Sequence, residues 1–398
     1  MKTKENTTLV PKLRFPEYQE TVGWKKFFGN ELFEQISDKN PEPGLPVLAI
    51  TQEYGAIPRD MIDYHVSVTD KSIESYKVVK PGDFIISLRS FQGGIEYSQY
   101  HGICSPAYVI LRRRMDGSDA YFKHYLKTDR FIQILTKNLE GLRDGKMISY
   151  KQFSELQIPV PAPEEQQKIA DCLSSLDELI TAQGRKVEVL KTHKKGLMQQ
   201  LFPREDETQP RLRFPEFRDA SKWEPRLLSD MVKSFKTGKL DANAMVEDGQ
   251  YRFYTCAKSY YRIDNYAFEG EALLVAGNGA HLGYIHHYIG KFNAYQRTYV
   301  LQQFKANVIF IRCLLDRYLP ARILSEKKDG NTPYIVLATL TDMPLVVPQD
   351  VSEQQHIAEF LTSVDNLITS ATQELEALKA HKKGLMQQLF PSLETVNA

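Results

Sequence analysis

The chain has 398 residues, enough for two or more domains with cores of their own. Its 51 Lys and Arg against 50 Asp and Glu leave a formal net charge of +1, which excludes a global basic field and requires any nucleic-acid surface to be local. The scattered cysteines Cys104, Cys172, Cys256 and Cys313 make neither a disulfide framework nor a CxxC metal pair, and they fit a reducing compartment.

The N-terminal segment, residues 1–22, has no apolar run of signal-peptide length, and no later stretch holds the roughly 18 apolar residues that cross a bilayer. A cytoplasmic protein without membrane contact is expected. Within this segment PKLRFPEY (11–18) precedes Trp24. Residues 23–163 then read as a compact insert of mixed strand and helix. It has short apolar runs at DFIISL (83–88) and AYVILRR (107–113), a helical stretch at YFKHYLKTDRFIQILTK (121–137) and a last strand at LQIPVP (156–161). Gly-rich strings, SFQGGIEYSQYHG (90–102) and GLRDGKMIS (141–149), mark loop tips.

Residues 164–203 change period. Ile169, Leu173, Leu176, Ile180, Val187, Leu190, Leu197 and Leu201 step by four and three, with Gln183 and Lys194 breaking the seam, which predicts a coiled-coil helix. Prolines and acidic residues open it and Pro203 closes it. At 1.5 Å per residue it would be about 55 Å long.

The chain then repeats itself. A linker, 204–221, carries PRLRFPEF (210–217) ahead of Trp223. A second insert, 222–350, follows the element order of the first with EALLVAG, RTYVLQQ, VIFIRCLLDRYLPARIL and DMPLVVP, yet shares almost no residues with it. A second helix, 351–391, has its seam at Ile357, Leu361, Val364, Ile368, Ala371, Leu375, Leu378, Leu385 and Leu389, with Lys382 at the place of Lys194. The offset between the helix copies is 188 positions, that from Glu165 to Glu353, and both end in HKKGLMQQLFP before a short tail, 392–398. The same element order with different letters predicts one fold with two surfaces. A duplicated unit meeting its twin through one face predicts antiparallel pairing of the two helices.

Catalytic signatures are incomplete. No GxxxxGK[ST] loop is present, and Asn331-Thr332-Pro333-Tyr334 lacks the first proline of an amino-methyltransferase motif. Asp316, Glu326 and Lys328 read as a solvated helix face and its loop, and His281, His286 and His287 lack metal-ligand spacing.

The layout of variable insert, long helix ending in HKKGLMQQLFP, second insert and second helix resembles the specificity subunits of type I restriction-modification systems. The strings GDFIISLRSFQGGI and EALLVAGNGAHLGYI, and the proline-to-EQQ junction before each helix, carry the likeness within the inserts. The resemblance implies an α+β chain in which two α/β target-recognition domains are joined by two long α-helices forming an antiparallel coiled coil, a pseudo-two-fold internal repeat. It also implies a non-catalytic subunit that reads a bipartite, asymmetric site in double-stranded DNA. The implied partners are two methylation subunits, which bind S-adenosylmethionine, and up to two restriction subunits, which use ATP and Mg; no cofactor belongs to this chain. The alternatives are a self-contained DNA methylase or nuclease with its own specificity domain and, more weakly, a coiled-coil protein adaptor.

Base readout needs forked donors and acceptors on backbone that approaches a groove closely. In the first insert Arg89, Ser90, Gln92, Gly93 and Gly94 meet this at a strand end, with Lys146 as a phosphate contact. In the second, Asn278, Gly279 and His281 hold the equivalent place, joined by Tyr295, Gln296 and Arg297 and by Lys328 and Asn331 in a later loop. Identity off the seam, at His193, Lys195, Gln199 and Gln200 and again at His381, Lys383, Gln387 and Gln388, predicts one partner-docking surface presented twice.

Overall fold

A computed structural model describes residues 9–62, 75–137, 148–204, 207–326 and 333–391. The first insert folds as β1 (Lys25–Phe28), α1 (Gly29–Leu32), β2 (Phe33–Ile36), β3 (Leu48–Thr51), β4 (Gly55–Pro58), β5 (Lys77–Val79), β6 (Phe84–Ile86), α2 (Ser90–Gly93), β7 (Glu96–Tyr97), β8 (Gly102–Cys104), β9 (Val109–Arg113), α3 (Asp119–Tyr125), α4 (Asp129–Lys137), α5 (Tyr150–Ser154) and β10 (Gln157–Val160). It feeds the long helix α6 (Pro163–Leu201). The second insert gives β11 (Glu224–Leu227), α7 (Leu228–Met231), β12 (Val232–Thr237), β13 (Tyr251–Tyr254), β14 (Tyr261–Ile263), β15 (Phe268–Ala276), β16 (Ile285–Ala294), β17 (Thr298–Phe304), α8 (Val308–Glu326), α9 (Leu337–Thr341) and β18 (Pro344–Val347), and ends in α10 (Val351–Leu389). The chain forms two compact units, Met1–Gln183 with Glu374–Ala398, and Gly184–Gln373.

In the first unit β1 pairs antiparallel with β10, so the first and last strands of the insert lie side by side and the chain leaves directly into α6. In the second, β11 and β18 do the same ahead of α10. The helix starts are fixed by a repeated polar node. Glu165 accepts from Arg14 Nε and Nη2, both at 2.7 Å, and from Trp24 Nε1 at 3.1 Å. Glu353 accepts from Arg213 Nε and Nη2 at 2.7 Å and from Trp223 Nε1 at 3.1 Å. Both carboxylates are buried, and a buried charge is tolerated where bidentate hydrogen bonds satisfy it. The adjacent Gln166 and Gln354 donate to the carbonyls of Pro161 and Pro348. These contacts explain why the RFPE string, the tryptophan and the proline-to-EQQ junction recur together.

Each unit has one main core, closed by parts of both long helices. In the first, Trp24, Tyr121, Phe122 and Phe153 pack with Ile169 and Leu173 of α6 and with Leu389 and Phe390 at the end of α10. In the second, Trp223, Phe310 and Leu314 pack with Leu201 and Phe202 at the end of α6 and with Ile357 and Leu361 of α10. The helices run antiparallel in both units. In the first, Asp177 meets Lys382 and Gln183 meets Glu374, so rising positions on α6 face falling ones on α10. In the second, Lys194 meets Asp365 at 2.6 Å. The apparent breaks in the heptads are therefore cross-helix polar contacts, with Lys194 and Lys382 in equivalent ion pairs.

One expectation needs correction. The helical stretch 121–137 is two helices, α3 and α4, because the Thr128 hydroxyl donates to Tyr125 O at 2.8 Å and accepts from Phe131 N at 3.2 Å, restarting the helix. The inserts share the antiparallel four-strand order that their element order implies, β2-β9-β6-β7 in the first and β12-β17-β15-β16 in the second. They differ in what is added to it: β13 and β14 extend the sheet to six strands in the second, whereas the first adds the separate pairs β3-β4 and β5-β8.

Candidate nucleic-acid interface

In the first unit β6 is buried along its length and delivers the chain to the surface at Leu88 and Arg89, both exposed. Its base is anchored by Asp83, fully buried, which takes a bidentate bond from Arg112 at 2.7 and 2.9 Å. Arg89 and Gln92 point to solvent at the start and within the single turn of α2. Ser90 does not: it is 1% exposed, and its hydroxyl accepts from Ser87 N at 2.9 Å, so it shapes the turn. Gly94 is buried with φ of +80°, and a Cβ there would lie 2.2 Å from Leu126 O, so this glycine serves packing. Gly93 faces the side chain of Gln52.

That contact identifies an element the sequence reading missed. The β3–β4 hairpin carries Gln52, Glu53 and the 60%-exposed Tyr54 at its tip, and Gly55 allows the reversal with φ of +72°. Gln52 Nε2 donates to Arg89 O and Lys127 Nζ donates to Gln52 O, each at 3.4 Å. Lys127 is in turn held by the buried Glu96, whose carboxyl is pushed up by burial and pulled back by Lys127. The tip and Arg89 share a cleft of about 810 Å³ with Ser105 and Tyr108. Alternation in LAITQEYGAIP, broken at Gly55, was the available signal for the hairpin; its packing on Arg89 had none.

In the second unit β15 ends at the turn carrying Asn278, Gly279 and His281. Gly279 has φ of +80° and, among the described residues, open space where a Cβ would stand. The turn does not stand alone. Gly277 N donates to Arg297 O at 2.9 Å and Gly277 O accepts from Ile335 N at 2.9 Å, which joins it to the turn of Tyr295, Gln296 and Arg297 and to the stretch before α9. Gln296 and Arg297 have exposed side chains. Tyr295 is half-buried, its N–H bonded to Tyr254 O at 2.9 Å. Lys146, Lys328 and Asn331 lie outside the described residues.

His286 bonds Ala257 O and His287 bonds Glu271, each at 2.9 Å, while Asp316 and Glu326 pair along α8 with Arg312 and Arg322. Among the described residues no group of three His, Cys, Asp or Glu side chains is placed to hold a metal ion, and no helix is long and apolar enough to cross a membrane.

The helix ends present a second surface. His193, Lys195, Gln199 and Gln200 are exposed, as are His381, Lys383, Gln387 and Gln388. Gly196 and Gly384 lie among them, and a Cβ at either meets nothing within 4 Å among the described residues. Packing against the described residues therefore does not account for glycine inside these helices.

The sequence matches the family model described as type I restriction modification DNA specificity domain twice, over residues 22–191 and 220–380. The type I restriction enzyme EcoDI specificity subunit of Escherichia coli is 41% identical over 169 residues, 42% of this chain and 37% of that protein; the match thus spans little more than a third of that relative. The MjaVIII specificity subunit of Methanocaldococcus jannaschii is 26% identical over 365 residues, covering 82% of this chain and 81% of the relative. The crystal structure of a type I restriction-modification S subunit from M. genitalium covers 97% of this chain and 100% of its own, with a TM-score of 0.60 at 19% identity. A chain from a structural study of assembly and conformational transition in the type I R-M system covers 93% of this chain and 98% of its own, at 0.57 and 15% identity. At these identities the two structures speak for the fold.

Proposed function

Because the chain belongs to the type I restriction-modification DNA specificity family, matched over both inserts, we propose that it is the DNA sequence-specificity subunit of a type I restriction-modification complex. Each insert reads one half of a bipartite, asymmetric site in double-stranded DNA. The observation that carries this reading is the contrast within each unit: a frame repeated bond for bond at Arg14–Glu165–Trp24 and Arg213–Glu353–Trp223 holds two turn sets of different chemistry. Arg89 and Gln92, with Gln52 and Tyr54 beside them, read through the first insert, and Asn278, His281, Gln296 and Arg297 through the second. Arg is suited to guanine O6 and N7, and Asn or Gln to adenine N6 and N7.

The matched surfaces at His193, Lys195, Gln199 and Gln200 and at His381, Lys383, Gln387 and Gln388 dock two methylation subunits, and up to two restriction subunits join that complex. S-adenosylmethionine, ATP and Mg belong to those partners; this chain binds none and acts in the cytoplasm without chemistry of its own. Exchange of residues 222–350 for the corresponding insert of a relative tests the division of labour. Methylated-adenine mapping in cells should show one half of the site changed and the other kept; a change in both halves, or in neither, would overturn it. Methyl transfer by the purified chain alone would instead favour a self-contained methylase.

A further inference from the structure

The β13–β14 hairpin of the second unit holds a concentration of charge that neither the reading turns nor the helix ends use. Arg252 and Arg262 stand directly opposite each other in its antiparallel register. Like charges in that position destabilise a sheet. Arg252 donates from Nη1 to the Tyr254 hydroxyl at 3.3 Å and Arg262 from Nη1 to Gln250 O at 3.4 Å, and among the described residues neither makes an ion pair.

The guanidinium groups are nonetheless positioned. Arg252 Cζ lies 4.3 Å from the centroid of Tyr260 and 4.5 Å from that of Tyr288, and Arg262 Cζ lies 5.8 Å from Tyr260. Tyr260 and its neighbour Tyr261 are each 39% exposed. Rings hold the planes while leaving guanidinium edges open to an acceptor, and two opposed cations without a carboxylate are completed by an anion.

The patch is continuous with the reading turns. Tyr254, on the face of β13 that also carries Arg252, accepts from Tyr295 N, and its ring leads through His286 at 5.0 Å to Tyr284, 4.8 Å further on beyond the Gly279 turn. A guard against edge pairing is the plainer role for charge on β14, an edge strand. That role requires neither a second arginine opposite nor stacking on tyrosine.

We propose that Arg252 and Arg262 form a phosphodiester clamp in which tyrosine-held guanidinium groups grip the sugar-phosphate backbone of the duplex whose bases the adjoining turns read. This rests on the DNA-reading proposal, which it extends to residues that confer affinity without sequence preference.

The test measures binding of the full chain to a random-sequence duplex, and to one carrying the site mapped in cells, across a range of salt concentrations. The slope of log affinity against log salt should fall by about 0.9 for each arginine changed to Gln, with affinity at about 0.1 M salt reduced roughly three- to tenfold per residue. The preference for the specific duplex should stay constant, and Arg262→Gln should unfold at the same or a higher temperature, since repulsion is relieved. Arg252→Lys with Arg262→Lys should keep most of the slope. An unchanged slope in the Gln variants, equal losses in the Lys and Gln variants, or aggregation with unchanged duplex binding would overturn the clamp. Failure of the wild-type chain to bind duplex DNA at any salt would overturn the underlying reading. If Arg89→Ala and Arg297→Ala alter base preference while the Arg252 and Arg262 variants change nothing, that reading stands and the clamp alone falls.

Discussion

In the first unit Tyr121 and Phe390 pack edge-on around Trp24, with ring centroids 6.0 and 6.4 Å away; in the second, Phe310 and Phe202 surround Trp223 at 6.2 and 6.3 Å. Moving outward from these tryptophans the units diverge step by step. The carbonyl at the helix end accepts from Arg130 in the first, through Phe390 O at 2.7 Å, and from Tyr318 in the second, through Pro203 O at 2.6 Å. Three residues beyond Tyr121 stands His124, facing Asp177 and Lys382; three beyond Phe310 stands Cys313, facing Lys194 and Asp365. Further out, strands added to a common four-strand order differ, β13 and β14 in the second unit and the pairs β3-β4 and β5-β8 in the first. Attachment is thus fixed by a few atoms near each tryptophan, and an insert that satisfies them is free to build its outer surface in its own way.

The comparison breaks hardest at the shared node. Glu165→Ala strands the buried Arg14 and Glu353→Ala the largely buried Arg213, and each should cost about 3–5 kcal/mol. Hydrogen exchange should show each substitution loosening its own unit by a similar amount. Unequal losses would mean that the frames are alike in geometry but not in energy.

His124 sharpens the contrast, because it puts an acid-sensitive group against the long helices of the first unit where the second carries Cys313. Burial pushes its imidazole down to about 4, Lys382 adding to the effect and Asp177 opposing it. The unfolded chain takes up this proton near pH 6.5, so between about 6.5 and 4 the unfolded state binds more protons and stability falls as pH falls. The loss integrates to about 3 kcal/mol, confined to the first unit. His124→Cys, the choice of the second unit, should flatten the pH dependence of unfolding in that window; an unaltered slope would assign it to other groups.

At the reading turns, Arg89→Ala should cost about 1–3 kcal/mol of specific binding and relax one base in one half of the site, with Arg297→Ala doing the same in the other half. Competition binding with singly substituted duplexes checks both. The smallest effect belongs to the helix ends. Gly196→Ala and Gly384→Ala should each stabilise the free chain by up to about 1 kcal/mol, since a Cβ there meets none of the described residues. Both should weaken association with methylation subunits, as read by native mass spectrometry, if the glycines admit a partner's close approach.

How much of this was legible depended on the distance over which a residue acts. The helices were readable because their seam is a local period, and all seam positions from Ile169 to Leu201 and from Ile357 to Leu389 are withdrawn from full exposure. The polar seam positions read as breaks because their partners, Asp177, Asp365 and Glu374, lie on the opposite helix, and only the antiparallel register assigns them. Arg89, Gln92, Asn278, Gln296 and Arg297 were readable as polar turn residues at strand ends, while Ser90 and Gly94 differ by burial that composition does not reveal. Gln52 and the opposed arginines of β13 and β14 escaped notice because strand pairing creates their neighbourhoods.

The ion pairs of the seam carry one more consequence. Asp365 repeats Asp177 and Lys382 repeats Lys194, so Lys194 bound to Asp365 and Lys382 bound to Asp177 are one contact made twice. Each helix alone carries both halves of that contact, an acid near its middle and a lysine nearer its end, and its complement is therefore a reversed copy of itself. A fragment holding one insert and one helix would find in a second molecule of the same fragment the partner it loses from the other half of the chain. Such a homodimer would pose two identical inserts, and on the proposed reading the asymmetric site of the parent would become a palindrome.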